Sequence, residues 1–418
     1  MNAWQKNFNQ HELAIELFDL TSLHPLCKGF SGVVFDGRYI YLSPCNNGTT
    51  VAQVLRFDPT LPFDQPDSWN IFEITKINPD SRGFVDLLFD GQYIYFIPFY
   101  QQLGKHHGTV TRYDTRLTFD DSKSWSFFDT TTLHPNCRGF VSGCFDGSYI
   151  YLSPYQVDWN TTNSQVTRYN TGLSFSDKTA WQVFDTQQLY SDCRGFHGAI
   201  VHGNYVYFVP YLRLGKEYNG RLTLYNREKE FHDHQAWQSI DLTNFNSRAR
   251  GFISGTSLGK YIYLAPYFDG NDRYGQVARY NTELDIADSA SWEFFDSAII
   301  DPGSRGFFGA LNDGRYVYFM PHCRGIEKYH GQMTIYDSNF AFTDPNSWTI
   351  LDTAIVNPAC RGFIGGVLHN GYLYMAPFEI DAGQHSGLMI RVKLEFLRKS
   401  EEKRMKKENY DKITSRSL

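Results

Sequence analysis

Apolar and polar residues alternate with a period of two in short bursts along the chain, as in Tyr39-Ile-Tyr-Leu42, Tyr93-Ile-Tyr-Phe96 and Tyr149-Ile-Tyr-Leu152. Such alternation predicts strands with one face buried. The bursts are copies of one another. The segment KGFSGVVFDGRYIYLSP at 28–44 returns as RGFVDLLFDGQYIYFIP at 82–98, and again from 138, 194, 250, 305 and 361. Glycines after the basic residue stand at 29, 83, 139, 195, 251, 306 and 362, with spacings of 54, 56, 56, 56, 55 and 56. A fixed period of this length is the mark of a repeat architecture.

Each unit predicts four strands. Strand a follows the Gly-Phe pair and ends at Asp36-Gly37 or its counterparts, a pair suited to the two-residue type I′ hairpin. Strand b is the Tyr-rich burst, stopped by a proline such as Pro44 or Pro98. A loop of variable sequence leads to strand c, and a polar turn to strand d, which opens on Trp69, Trp125, Trp181, Trp237, Trp292 or Trp348. The seventh unit has strands a, b and c (Leu388–Lys393) but no Trp-led fourth strand. Glu12–Leu20, ending Leu17-Phe18-Asp19-Leu20, matches the missing piece. A strand given from one chain end to the last unit closes the ring and removes exposed sheet edges. The expected fold is therefore all-β: a seven-bladed β-propeller of four-stranded antiparallel blades over residues 1–396, with a basic tail at 397–418.

The repeat length and the closure by a terminal strand resemble the kelch-type propellers over about residues 12–396, a resemblance of architecture. The c–d turns, such as Asp121-Ser-Lys-Ser-Trp125 and Asp177-Lys-Thr-Ala-Trp181, are similar to the Asp box of sialidases. That resemblance implies aspartates that cap turns rather than act on a ligand.

Composition agrees with strands: aromatics make up 17% of residues and charged residues only 20%, which excludes a disordered chain or a coiled coil. A net charge of −6 gives no general pull toward nucleic acid, which is not expected as a partner. No apolar run reaches the length of a membrane span. Seven cysteines without a C-x-x-C pair and a polar N-terminus point to a reducing, cytoplasmic setting. No cofactor or metal is expected, and the expected state is a monomer.

Candidate chemistry begins with the residue before each repeated glycine, which is always basic: Lys28, Arg82, Arg138, Arg194, Arg250, Arg305 and Arg361. If strand a is innermost, these cations ring one mouth of the central channel. At about 8 Å apart and an effective dielectric of about 20, neighbours repel by about 2 kcal/mol. Nine residues before each stands an acid: Asp19, Glu73, Asp129, Asp185, Asp241, Asp296 and Asp352. The leading expectation is a ring of structural ion pairs between the two sets. The other readings are a rim that binds a polyanion and an arginine cluster that does sialidase-like work on a carboxylate substrate. Arg56, Arg112, Arg168, Arg279 and Arg391 on strand c are expected to make surface pairs across their own blades. Cys27, Cys137, Cys193 and Cys360, beside the rim, are expected to be buried and inert.

Specific recognition is expected from the b–c loops, which vary while the frame repeats. Their aromatic and histidine residues Tyr100, His107, Trp159, Tyr218, Tyr274, His330 and His385 join the rim cations as candidate ligand-binding positions. His197 and Asp86 depart from the residues at their strand-a positions and hint at an asymmetric channel site. The expected function is a recognition scaffold whose rim and b–c loops bind a protein, an anionic ligand or a glycan. The alternative is a glycan-processing hydrolase or lyase acting at the channel mouth; no catalytic residues are assigned.

Overall fold

The computed structural model describes residues 15–49, 51–102, 105–213, 217–395 and 397. It contains seven four-stranded antiparallel sheets, each with the order a-b-c-d. Blade 1 comprises Phe30–Phe35, Ile40–Pro44, Gln53–Phe57 and Trp69–Glu73. Blade 7 comprises Phe363–His369, Tyr372–Pro377 and Leu388–Lys393, completed by Ile15–Asp19 from the other end of the chain. That closing strand runs antiparallel to strand c in unbroken register, from Ile15 opposite Val392 to Asp19 opposite Leu388. Glu12–Ala14 of the expected closing segment and residues 398–418 of the expected tail lie outside the described residues; Leu397 is buried in the core of blades 6 and 7. Each strand a packs against the next, and the seventh meets the first, so strand a is innermost.

Two repeated devices fasten blade to blade. The Trp that opens strand d is about 95% buried and donates its indole N–H to the carbonyl six residues earlier, as Trp125 does to Phe119 at 3.1 Å. Its face stacks on an aromatic ring from strand d of the preceding blade: Phe72 on Trp125, Phe128 on Trp181, Phe184 on Trp237 and Phe295 on Trp348, at 4.3–5.0 Å. Phe18 of the closing strand does the same for Trp69, at 5.5 Å. The second device is the strand-c arginine. Arg168 bonds Gln182 across its own blade at 2.7 Å, while its guanidinium lies between Tyr149 of that blade and Phe231 of the next, 4.1 and 4.2 Å from the ring centres. Arg56, Arg112, Arg279 and Arg391 repeat the sandwich. Arg168 and Arg279 are buried, so these arginines are not the surface pairs expected: each pairs across its own blade and also packs on the next. A cation held between two rings loses less on burial than one left against aliphatic groups.

The a–b hairpins correct one expectation. Asp36-Gly37 is not a type I′ pair, because only the glycine has positive φ, at 96°. The loop is longer: Phe35 pairs with Ile40, and Asp36 accepts from the backbone N–H of Arg38 and Tyr39 at 2.7 and 2.6 Å. Its second oxygen takes the Tyr41 hydroxyl at 2.9 Å. The aspartate is selected as a side-chain cap rather than for a left-handed backbone. Asn370-Gly371 in blade 7 does have positive φ at both residues.

Candidate functional site

The rim is organised by its glycines. Gly139 has φ of +66°, and a Cβ there would stand 1.6 Å from the Gln156 carbonyl oxygen of its own b–c loop. Its carbonyl accepts from Tyr155 N–H, and its N–H donates to His107 of the preceding blade's loop at 3.0 Å. The other six rim glycines meet the corresponding carbonyl at 1.5–1.8 Å. One residue per blade thus ties strand a to two loops.

The carboxylates set to close the rim are used elsewhere, and the expected ring of ion pairs is not formed. Asp129 accepts from the backbone N–H of Thr131 at 2.9 Å and from its hydroxyl at 2.7 Å, capping the short 3-10 turn that follows strand d. Asp19, Asp185, Asp241, Asp296 and Asp352 cap the same turn in their blades. Their ionic contacts, where present, go to other residues: Asp241 to Arg221 at 3.9 Å and Asp296 to Arg248 at 3.8 Å. Glu73, too long to cap, pairs with Lys76 at 3.3 Å. A local cap costs almost no ordering entropy, whereas a guanidinium fork must immobilise a long side chain.

The rim cations consequently differ from a closed ring. Among the described residues, Lys28, Arg138, Arg194, Arg250 and Arg361 have no carboxylate within 4 Å, and Arg305 pairs with Asp272 of the neighbouring loop at 3.1 Å. The Nε atoms of Arg138, Arg194 and Arg361 are buried without a hydrogen-bond partner there. Arg194 is 7% exposed, and burial pulls its guanidinium below the ordinary arginine range, with Asp185 partly offsetting. Between Lys28 and Arg82 opens a pocket of about 210 Å³ whose walls include Asn46, Asn47, Tyr100 and Gln101 and, among the described residues, no acid. The rim cysteines Cys27, Cys137, Cys193 and Cys360 are fully buried, and desolvation pushes the Cys27 and Cys360 thiols up to about 12.

The loop residues fall into two groups. His107, Tyr274 and His330 are buried parts of the frame. His107 takes the Thr109 N–H on Nδ1, so its Nε2 carries the proton and donates to the Arg82 carbonyl at 2.9 Å. Burial lowers its pKa to about 3. The Tyr274 hydroxyl donates to the Arg250 carbonyl at 2.5 Å, and Asn163 plays the same part for Arg138 at 2.8 Å. The His330 ring accepts from Gln332 N–H at 3.2 Å. Tyr100, Trp159, Tyr218 and His385 remain at the surface or half-buried, Trp159 at 49% exposed. Trp159 stands 5.9 Å from Tyr100, which lines the Lys28–Arg82 pocket.

A ring of side chains over the channel was not expected as a group. The residue after each strand-b proline is Cys45, Phe99, Tyr155, Tyr211, Tyr267, His322 or Phe378. From Phe99 to Phe378 successive rings lie 5.7–6.1 Å apart, and only Cys45 interrupts the circle. The signal was present as an aromatic residue at this position in six of the seven repeats. Beneath it His197 is enclosed by Tyr155, Tyr211 and Phe308, and burial lowers its pKa to about 3. Asp86 accepts from Ser142 at 2.7 Å and from Leu87 N–H at 2.8 Å. The two do not bond each other, so the channel does not join them as an acid–base pair.

Desolvation raises the Asp86 carboxyl from 3.8 to about 6, with Ser142 and the backbone N–H groups of Leu87 and Gly143 opposing it. A raised folded-state pKa gives stability that is complete below the unfolded value and lost as pH rises through the folded one. Asp86→Asn keeps an acceptor for Ser142 and removes the charge. The variant is expected to be more stable than the parent by about 1–3 kcal/mol at pH 8 and to match it at pH 4. Melting curves at the two pH values check this; an equal shift at both would place the origin elsewhere than in ionisation.

No family model matches this chain, and no curated protein matches it. Among solved structures it is similar to PorZ, described as an essential bacterial surface component of the type-IX secretion system of Porphyromonas gingivalis, with a TM-score of 0.48 and 10% identity. The similarity covers 86% of this chain, which spans about 36% of the length of that one. The seven closed blades themselves establish a β-propeller, a fold consistent with a binding scaffold.

Proposed function

We propose that the protein is a recognition scaffold that holds an anionic partner, an acidic protein surface or an acidic glycan, against the rim and b–c loops. The observation that carries this reading is the diversion of the rim-side aspartates into turn caps, which leaves Lys28, Arg138, Arg194, Arg250 and Arg361 without carboxylate partners among the described residues. Half-buried cations gain more from an incoming anion than exposed ones, because less water screens the contact. The pocket between Lys28 and Arg82 seats one anionic group, and Tyr100, which lines it, stands beside Trp159.

The test is a melting-temperature screen with heparin and inorganic polyphosphate, since a ligand of the native state alone raises Tm. A saturable rise is expected that weakens from low to physiological salt. Replacing Arg138 and Arg361 together by Gln removes two contacts of about 0.7 kcal/mol each and weakens binding about tenfold. No shift with either polyanion, or an unchanged affinity in the double variant, would overturn the reading.

A further inference from the structure

We propose that the channel mouth holds a separate subsite, built on Arg273, for a small monocarboxylate whose ring or chain lies on the surrounding tyrosines. In blades 2 to 7 the two described arms of the b–c loop are bridged to each other. The bridged position on its returning arm is His106, Thr162, Tyr218, Arg273, Tyr329 or His385. Arg273 is the one permanent cation in this tier. Its Cβ position approaches the rim glycine Gly306, much as Tyr218 approaches Gly251 and Tyr329 approaches Gly362.

The guanidinium is held in place by its face. Its carbon lies 3.8 Å from the ring centre of Tyr267 and 5.1 Å from that of Phe268. The hairpin that carries it is pinned by Asp269, which accepts from the N–H groups of Asn271 and Asp272 at 2.9 and 3.0 Å and from Arg248 Nε at 2.8 Å. Stacking leaves the edge of the guanidinium, with its fork of donors, for an in-plane partner. The nearby acids are already engaged. Asp272 holds Arg305, Asp269 holds Arg248, and Glu379 accepts from the Tyr329 hydroxyl and from Gly383 N–H at 2.7 Å. Arg273 itself makes no ion pair or side-chain hydrogen bond with another described residue.

A half-buried guanidinium without a counter-charge is costly, and a carboxylate in its plane with two parallel N–H···O bonds offsets that cost most directly. The hydroxyls of Tyr211 and Tyr267 lie in the field of Arg273, and burial keeps them protonated and able to donate. The Glu379 carboxylate also acts on Tyr267, from blade 7. It repels a second negative charge, which favours a monocarboxylate over a dicarboxylate. This subsite uses none of the rim cations and does not depend on the polyanion reading.

The test is calorimetric titration of the full chain with benzoate and glucuronate, with benzyl alcohol and glucose as uncharged counterparts and phthalate as the dicarboxylate. At least one monocarboxylate is expected to bind saturably, the neutral compounds not at all, and phthalate more weakly than benzoate. Arg273→Gln is expected to weaken monocarboxylate binding by at least about tenfold, and Arg273→Lys to fall between because it keeps charge but not the fork. Glu379→Gln is expected to improve phthalate binding relative to benzoate, a readout independent of the folding of the Arg273 variants. Benzoate binding that is lost in Arg138→Gln with Arg361→Gln and kept in Arg273→Gln would place the site on the rim and overturn the proposal. Absence of binding by both monocarboxylates up to about 50 mM, or equal affinities for parent and Arg273→Gln, would overturn the proposal.

Discussion

Removal of residues 1–20 is expected to leave a protein that is insoluble or that melts far below the parent. The segment supplies the whole outer strand of blade 7, paired from Ile15 to Asp19 with Leu388–Val392. Phe18 and Leu20 are buried, and Phe18 stacks on Trp69, so the same segment fastens blade 7 to blade 1. Losing the burial of two large apolar side chains costs about 3–6 kcal/mol, and the lost stacking about 1 kcal/mol more. Arg391 loses its Glu16 partner, at 2.7 Å, on the same face. The sum approaches the whole stability of an ordinary domain. The bared edge of strand c also offers Leu388–Lys393 for pairing with another chain. Size-exclusion chromatography and melting curves of the truncated protein, with and without the peptide of residues 1–20 added back, measure both effects. A monomer with unchanged Tm would show that the ring is held by its other contacts.

How much of this was legible beforehand depended on whether the signal repeated. The seven units and the closing strand could be read because one residue type recurs at one spacing, and each copy tests the others. The strand-c arginines recur too, but the sequence did not show that they stack on the next blade. The capping aspartates of strand d recur equally well, yet their spacing to the rim cations suggested the wrong partner. Asp129-Thr-Thr131 and Asp241-Leu-Thr243 carry the local signature of a side-chain cap, a hydroxyl two residues on. Where a carboxylate has a backbone donor two residues away, that bond costs little ordering entropy and prevails over a fork to a distant guanidinium. The loops were opaque for the opposite reason. His107 and Asn163 do the same work on the rim carbonyls with different chemistry, so no repeat advertises them, and the counterparts of Arg273 in the other loops are histidine, threonine and tyrosine rather than arginine. The aromatic circle over the channel was countable in the sequence, but only the blade geometry shows that its rings touch.

The rim glycines give the sharpest separation between backbone preference and crowding. Gly139→Ala is expected to be among the most damaging single substitutions in the chain, and Gly147→Ala, eight residues on, to be mild. Both glycines have positive φ, +66° and +97°, so both variants carry the cost of a left-handed or related backbone, about 1 kcal/mol. At Gly147 nothing lies within 4 Å of the new methyl group, and the cost ends there. At Gly139 the methyl group would sit 1.6 Å from the Gln156 carbonyl oxygen and 3.0 Å from the His106 ring. Backbone has to move, and with it go the bonds from Tyr155 N–H to Gly139 and from Gly139 N–H to His107. Two buried backbone hydrogen bonds and a displaced loop bring the total to about 4 kcal/mol or more. The measurement is the Tm and soluble yield of the two variants side by side. Similar small losses in both would mean that the loop yields easily, and that the glycine is retained for its φ alone.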